Sequence, residues 1–365
     1  MNKDKYIDSF GYFCTIIVTI VGIGIFSYPR EVSDLVAGDS WLVALISAGI
    51  TYLFVRFILK AMEKNEYKPI NIVLRRNLGT IIGSFIMLLM ALSNIVIISL
   101  GMRAFIEVIK MYLLQNTPTE FLVAITILCG VYLVRSGLIA NIKFNEVAFW
   151  IMFIPMVFML IFAAFQSDFT NNLPLFNSKP ISYIRAILVS NFVYGGAEII
   201  YLLVPNLKDK KGAVKTGFRA LAFIGIFYAV TIILCIGVFT SDVMGNIIWP
   251  TITMMKVVDV PGTFVERWYG IVLALWIVFY FTTFSNGFTF SAHMLKDSIK
   301  LFDIRISSML IVPFIYLIAM YPTNIAELYY VIDMVSPVFY AINLIFVPIV
   351  IFATGKIGRA KGVDR

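Results

Sequence analysis

Long apolar runs constrain this chain more than any other feature. Ten of them, divided by polar or Pro/Gly breaks, lie near 10–29, 41–59, 80–109, 120–134, 146–165, 186–204, 220–240, 268–292, 307–321 and 328–354. A helix needs about 20 apolar residues to cross roughly 30 Å of hydrocarbon. Ten such helices use about 200 of the 365 residues and leave short loops. Composition agrees: 60% of the residues are hydrophobic and 14% charged, with a mean hydropathy of +0.92. A soluble domain carries about 45–50% and about 25% respectively. That excess excludes a disordered chain, a secreted disulfide scaffold and a cytosolic enzyme. The expected class is an all-α polytopic membrane protein with ten transmembrane helices. It forms a single integral membrane domain over residues 1–365, with no detachable soluble part.

The net charge of +8 is explained by where the charges fall. With the N-terminus in the cytoplasm, the inner side collects 21 Lys and Arg. The outer side holds 6, namely Arg30, Lys110, Lys179, Arg185, Lys256 and Arg267, and Arg56 and Arg103 lie within spans. This is the positive-inside asymmetry. It places both termini in the cytoplasm and requires no nucleic acid. Arg103 and Glu107, four residues apart, are expected to pair at the outer rim. Cys14, Cys129 and Cys235 lie within apolar runs, and His293 is the single histidine, so neither a metal site nor a cofactor is expected. The outer stretch 241–266 is amphipathic enough for a short helix lying on the outer face.

Two runs contain glycines at mid-membrane depth. The first carries Gly22-Ile23-Gly24-Ile25-Phe26-Ser27-Tyr28-Pro29, and Gly22 lies about 18 Å along a helix starting near residue 10, at about 1.5 Å per residue. A break there, with Pro29 capping the next turn, would put unwound backbone where it is tolerated only against a cavity. GxG by itself serves close helix packing equally well. The sixth run carries Tyr194-Gly195-Gly196-Ala197-Glu198, which adds an ionisable group at a depth where such groups are rare and usually functional. Interrupted helices one and six, five spans apart and of opposite orientation, are the pattern of an inverted-repeat transporter. The two halves span about 8–166 and 183–354.

These segments also carry a resemblance. GIGIF and FVYGGAE resemble the helix-break motifs of the amino acid–polyamine–organocation transporter superfamily. GIGIFSYPR, MRAFIEVIKMYLLQNTP, IWPTITMMKVVDVPGTFVERW and FYFTTF resemble the B subunit of spore nutrient germinant receptors, the spore germination permease family, over essentially the whole chain. The resemblance implies a LeuT-like 5+5 fold in the spore inner membrane and recognition of a small nutrient, commonly an amino acid. It also implies two partners, an A-type membrane subunit and a C-type lipoprotein subunit.

A zwitterion suits such a scaffold. The second half of span one begins with free N–H groups and a positive dipole end for a carboxylate. The first half of span six ends in free carbonyls for an ammonium. The ligand candidates are Gly22, Gly24, Ile25, Phe26 and Ser27, faced by Tyr194, Gly195, Gly196 and Glu198. Asn94 and Ser99 of span three, with Ser93, add contacts or interhelical packing. In sodium-coupled members of the fold, hydroxyls in the place of Thr282 and Thr283, with Asn286 nearby, join first-helix carbonyls around an ion. Back-bonding to their own helix is the competing account. Residues 146–165 of span five contain no Lys that would replace that ion. Arg30 and Asp333 match the residue types and depths of an outer gate, unless each snorkels independently to the interface. The expected function is a germinant sensor and not an enzyme, with an H⁺- or Na⁺-coupled amino acid transporter as the alternative. No HExxH motif or catalytic dyad supports an intramembrane hydrolase.

Overall fold

A computed structural model describes residues 6–190, 193–258 and 268–355, with 268 and 269 by backbone only. Among the described residues there is no strand, and one parallel bridge pairs Ile7 with Leu207. Each of the ten apolar runs contains helix among its described residues. Six helical stretches are long and apolar enough to cross a membrane, and shorter apolar helices cover 9–20, 180–189, 197–206 and 304–320. All of the PGTFVERW stretch but Trp268 lies outside the described residues, as do Asp259, Val260, Asn191 and Phe192.

Helix α1 (Ser9–Ile20) starts on Asp8, whose carboxylate accepts the Gly11 N–H at 2.7 Å. It stops at Ile20, and α2 (Gly24–Val36) begins four residues later. The expected end at Pro29 is corrected: Pro29 sits inside α2, which runs seven residues further. A proline has no N–H for the carbonyl four residues back. That carbonyl, on Ile25, instead accepts the Thr251 hydroxyl at 2.7 Å, so the helix continues without an orphan acceptor. Helix α3 (Ser40–Lys64) returns, and α4 (Ile70–Leu78) is a short helix in the basic stretch that precedes α5 (Thr80–Tyr112). Then come α6 (Thr119–Arg135) and α7 (Leu138–Gln166). Helix α7 starts eight residues before the expected 146 and therefore contains Lys143. That ammonium is 61% exposed and pairs with Glu146 at 2.8 Å.

The second half opens with α8 (Pro180–Val189), followed by a 3₁₀ turn at Ala197–Ile199 and the single turn α9 (Ile200–Leu203). Beyond them lie α10 (Ala213–Phe239), the turn α11 (Ser241–Met244) and α12 (Pro250–Val257). The chain ends with α13 (Trp268–Ser298), α14 (Ile304–Met320), α15 (Ile325–Tyr340), a π-helical segment Ala341–Phe346 and α16 (Val347–Thr354). Helix α12 departs from a helix lying on the outer face. Trp249, Thr251, Ile252, Met254 and Met255 are all buried, and α12 packs against α2.

Polar side chains inside the bundle tie helices together. Arg103 pairs with Glu107 at 2.8 Å, but not at an open rim: Arg103 is 7% exposed and also donates to the Ala319 carbonyl of α14. Asp39, at the α2–α3 turn and buried, accepts the Phe176 N–H and the Tyr183 hydroxyl, fastening the α7–α8 connection.

Candidate functional site

Both chain interruptions open onto one small cavity of about 70 Å³. Its walls are Thr19, Ile20, Gly22, Ile23 and Gly24 from the first interruption and Val193, Gly195, Gly196, Glu198 and Ile199 from the second. Asn94 and Ile98 of α5, Thr283, Phe284 and Gly287 of α13, and Tyr340 of α15 close it. Because α2 starts at Gly24, its first amides have no intrahelical acceptors and its positive dipole end lies at this cavity.

Glu198, 5% exposed, lines the same cavity. Its Oε2 has no hydrogen-bond partner, and among the described residues no cation pairs with it. Backbone amides of Gly196 and Glu198 stabilise the carboxylate but leave Oε2 without a partner, and an ammonium in the cavity would complete it. The preceding turn positions Glu198. Gly196 has φ +100°, which L side chains rarely adopt, and a Cβ there would come within 2.9 Å of the Thr19 side chain.

Of the residues expected from the sequence, Gly22, Gly24, Asn94, Gly195, Gly196, Glu198 and Thr283 line this cavity. The others are placed elsewhere. Phe26 packs its ring on Trp276 at 4.6 Å, and Ser27 faces the Gly24 carbonyl at 3.5 Å. Ile25 is buried with its carbonyl on Thr251, and Ser99 donates to Ile95 within its own helix. The Tyr194 hydroxyl donates to the Ala44 carbonyl on the far side of the wall. Asn94 donates both to the Gly287 carbonyl at 2.7 Å and to Ser291 at 2.8 Å, so it clamps α5 to α13 while lining the cavity.

The hydroxyls on α13 divide between the two accounts. Thr282 donates to Phe279 in its own helix at 2.5 Å and lies 3.5 Å from the Val18 carbonyl of α1, to which Thr283 donates at 2.6 Å. Asn286 donates to Thr19 at 2.8 Å, and its Oδ1 accepts from Asn141 at 2.8 Å and Asn145 at 2.9 Å on α7. Arg30 lies 5.9 Å over the Tyr329 ring, one helical turn from Asp333, and no ion pair joins Arg30 to Asp333. Trp249 donates to the Tyr329 hydroxyl at 2.9 Å, which ties α12 to the same corner.

Sequence reading missed Tyr340, Tyr228, Asn141 and Asn145. Tyr228, fully buried on α10, lies 3.4 Å from the Ile20 carbonyl and 3.3 Å from that of Val193, so its hydroxyl can donate to either interruption. The two asparagines carried a legible signal. They are four residues apart on one helix face, as are Thr15 and Thr19.

The fold is shared with a solved membrane protein. The chain superposes on a Na⁺-coupled sialic acid symporter, solved in a substrate-bound outward-open state, with a TM-score of 0.64. The identity there is 10%, over 98% of this chain and 92% of that one. Residues 6–328 match the family described as "Spore germination protein", and the chain belongs to that family. It is 26% identical to spore germination protein A2 of Bacillus subtilis over 92% of this chain and 91% of that protein. It is 27% identical to spore germination protein B2 of the same organism over 94% of each, and 22% identical to GerLB of Bacillus cereus over 85% and 84%.

Proposed function

We propose that this protein is the nutrient-sensing membrane subunit of a spore germinant receptor. It binds a small α-amino acid between its two helix breaks and signals to partner subunits. The observation that carries this reading is the buried Glu198 carboxylate, with Oε2 unpartnered, lining the same cavity as the start of α2. In this reading the chain spans the spore inner membrane ten times as a single domain, with α1–α2 and α8–α9 as broken first and sixth spans. The repeat halves are residues 8–166 and 183–354, and both termini are cytoplasmic. The ligand carboxylate takes the amide of Gly24 at the start of α2, and the ammonium takes Glu198. Arg30 and Asp333 form the outer gate, with Arg30 lying over the Tyr329 ring in the state described. The partners are an A-type membrane subunit and a C-type lipoprotein subunit. The role is recognition and signalling, with no catalysis.

A working transporter is the second reading, favoured by the likeness to a Na⁺-coupled symporter. In it, an ion displaces the Thr283–Val18 hydrogen bond and uses those oxygens together with Thr282 and Asn286. Paired binding and uptake of labelled amino acids in proteoliposomes separates the two. Saturable binding without accumulation supports the sensor, gradient-driven accumulation supports the carrier, and no binding of any amino acid overturns both.

A further inference from the structure

Beside the site lies a second and wider recess, of about 420 Å³, between α3, α8 and the α15–π junction, open to the exterior past the exposed Leu188, Pro337, Ala341 and Ile345. Ile50, Phe54, Ile187, Leu188 and Leu344 give it an apolar wall. The partition between the cavities is thin. Tyr340 lines both, while the adjacent residues Tyr194 and Gly195 face one each. The Tyr340 ring lies so close over Gly195 that any Cβ there would overlap it.

We infer that the second cavity is the side-chain compartment of the ligand site and that Tyr340 is the residue that selects ligand size. This inference rests on the amino acid reading above. At about 70 Å³ the first cavity exceeds the roughly 10–15 Å³ that a single water needs and suits the charged head of an α-amino acid and little more. Its polar groups suit that head, and the apolar walls beyond Tyr340 suit an aliphatic or aromatic tail. The backbone under Tyr340 is built to shift. Tyr340 is the last residue of α15, Pro337 removes one hydrogen bond from the preceding turn, and a π-helical segment follows directly. Rotation of the ring away from Gly195 joins the two cavities. The ligand class is then an α-amino acid with an uncharged, apolar side chain, because a charged one would be left among Phe54, Leu188 and Leu344 without a partner.

The test uses the purified full-length protein in nanodiscs and measures the affinities of glycine, alanine, leucine and phenylalanine. Ala341→Trp fills the second cavity from its rim. It should weaken leucine by about tenfold or more and hold glycine within about twofold, since each methylene in an apolar pocket changes affinity by about tenfold or more. Retained glycine binding also shows that this variant folds. Tyr340→Ala removes the partition and should improve phenylalanine relative to glycine by about tenfold. Unchanged leucine-to-glycine and phenylalanine-to-glycine ratios, or equal loss of glycine and leucine in Ala341→Trp, overturn the compartment while leaving the amino acid site standing. Wild-type protein that binds no amino acid overturns that site itself, and the compartment with it.

Discussion

Glu198 and Gly196 occupy the same turn, and each tests a different part of the site. Replacing the carboxylate by an isosteric amide keeps its shape and removes its charge. A hydrogen bond to a charged group contributes about 1.5–3 kcal/mol, so Glu198→Gln should weaken amino acid binding by roughly ten- to 150-fold with little loss of protein. A dose–response curve that does not move would make Glu198 a structural acid. At Gly196 the backbone is the issue. An alanine there incurs about 1–2 kcal/mol for the left-handed conformation and also presses on Thr19. Gly196→Ala should therefore abolish ligand binding while the protein still accumulates in the membrane. Disappearance of the protein itself would mean that the glycines serve packing.

The elements around the site are held by buried polar side chains, and their strengths can be ranked. Asn286 joins α13 to α1 and α7 through three hydrogen bonds. Inside membranes such bonds average about 0.6 kcal/mol each, so Asn286→Leu should destabilise the fold by about 2 kcal/mol in thermal unfolding in detergent. A loss several times larger would show that orphaned amides, not lost bonds, set the cost. The Arg30–Asp333 corner behaves differently because the pair is not closed in this state. If the two charges meet when the outer path shuts, a charge-assisted bond of about 1.5–3 kcal/mol would bias that closure. Asp333→Arg should then disturb the response to amino acids, and Arg30→Asp combined with Asp333→Arg should recover part of it. A double variant no better than the worse single one ends the gate proposal.

At the scale of the whole molecule, the positive-inside distribution and the helix order make a joint claim about topology. Lys110, at the end of α5, and Lys208, after α9, are assigned to opposite faces of the membrane. In right-side-out vesicles, an impermeant maleimide should label Lys110→Cys and spare Lys208→Cys, and inside-out vesicles should reverse this. Cys14 and Cys235 are buried, so Cys129 is the native thiol to remove first. Labelling of both positions from one side would break the ten-span arrangement.

The helical class, the places of the ten runs and the two glycine interruptions were all determined locally, by run length and by residues with special backbones. Glu198 stood out because a carboxylate at that depth is rare. Which faces meet was decided only by the tertiary structure. In a soluble helix the apolar stripe marks the core, but lipid is as apolar as a core, so Phe26 at 0% exposure and Leu188 at 60% look alike in sequence. That is why Phe26 was expected at the site and packs on Trp276, while Tyr340, far along the chain, closes the cavity. It is also why Thr251 was needed to complete α2. The carbonyl freed by Pro29 is predictable from the proline alone, but the hydroxyl that satisfies it comes from 226 residues away.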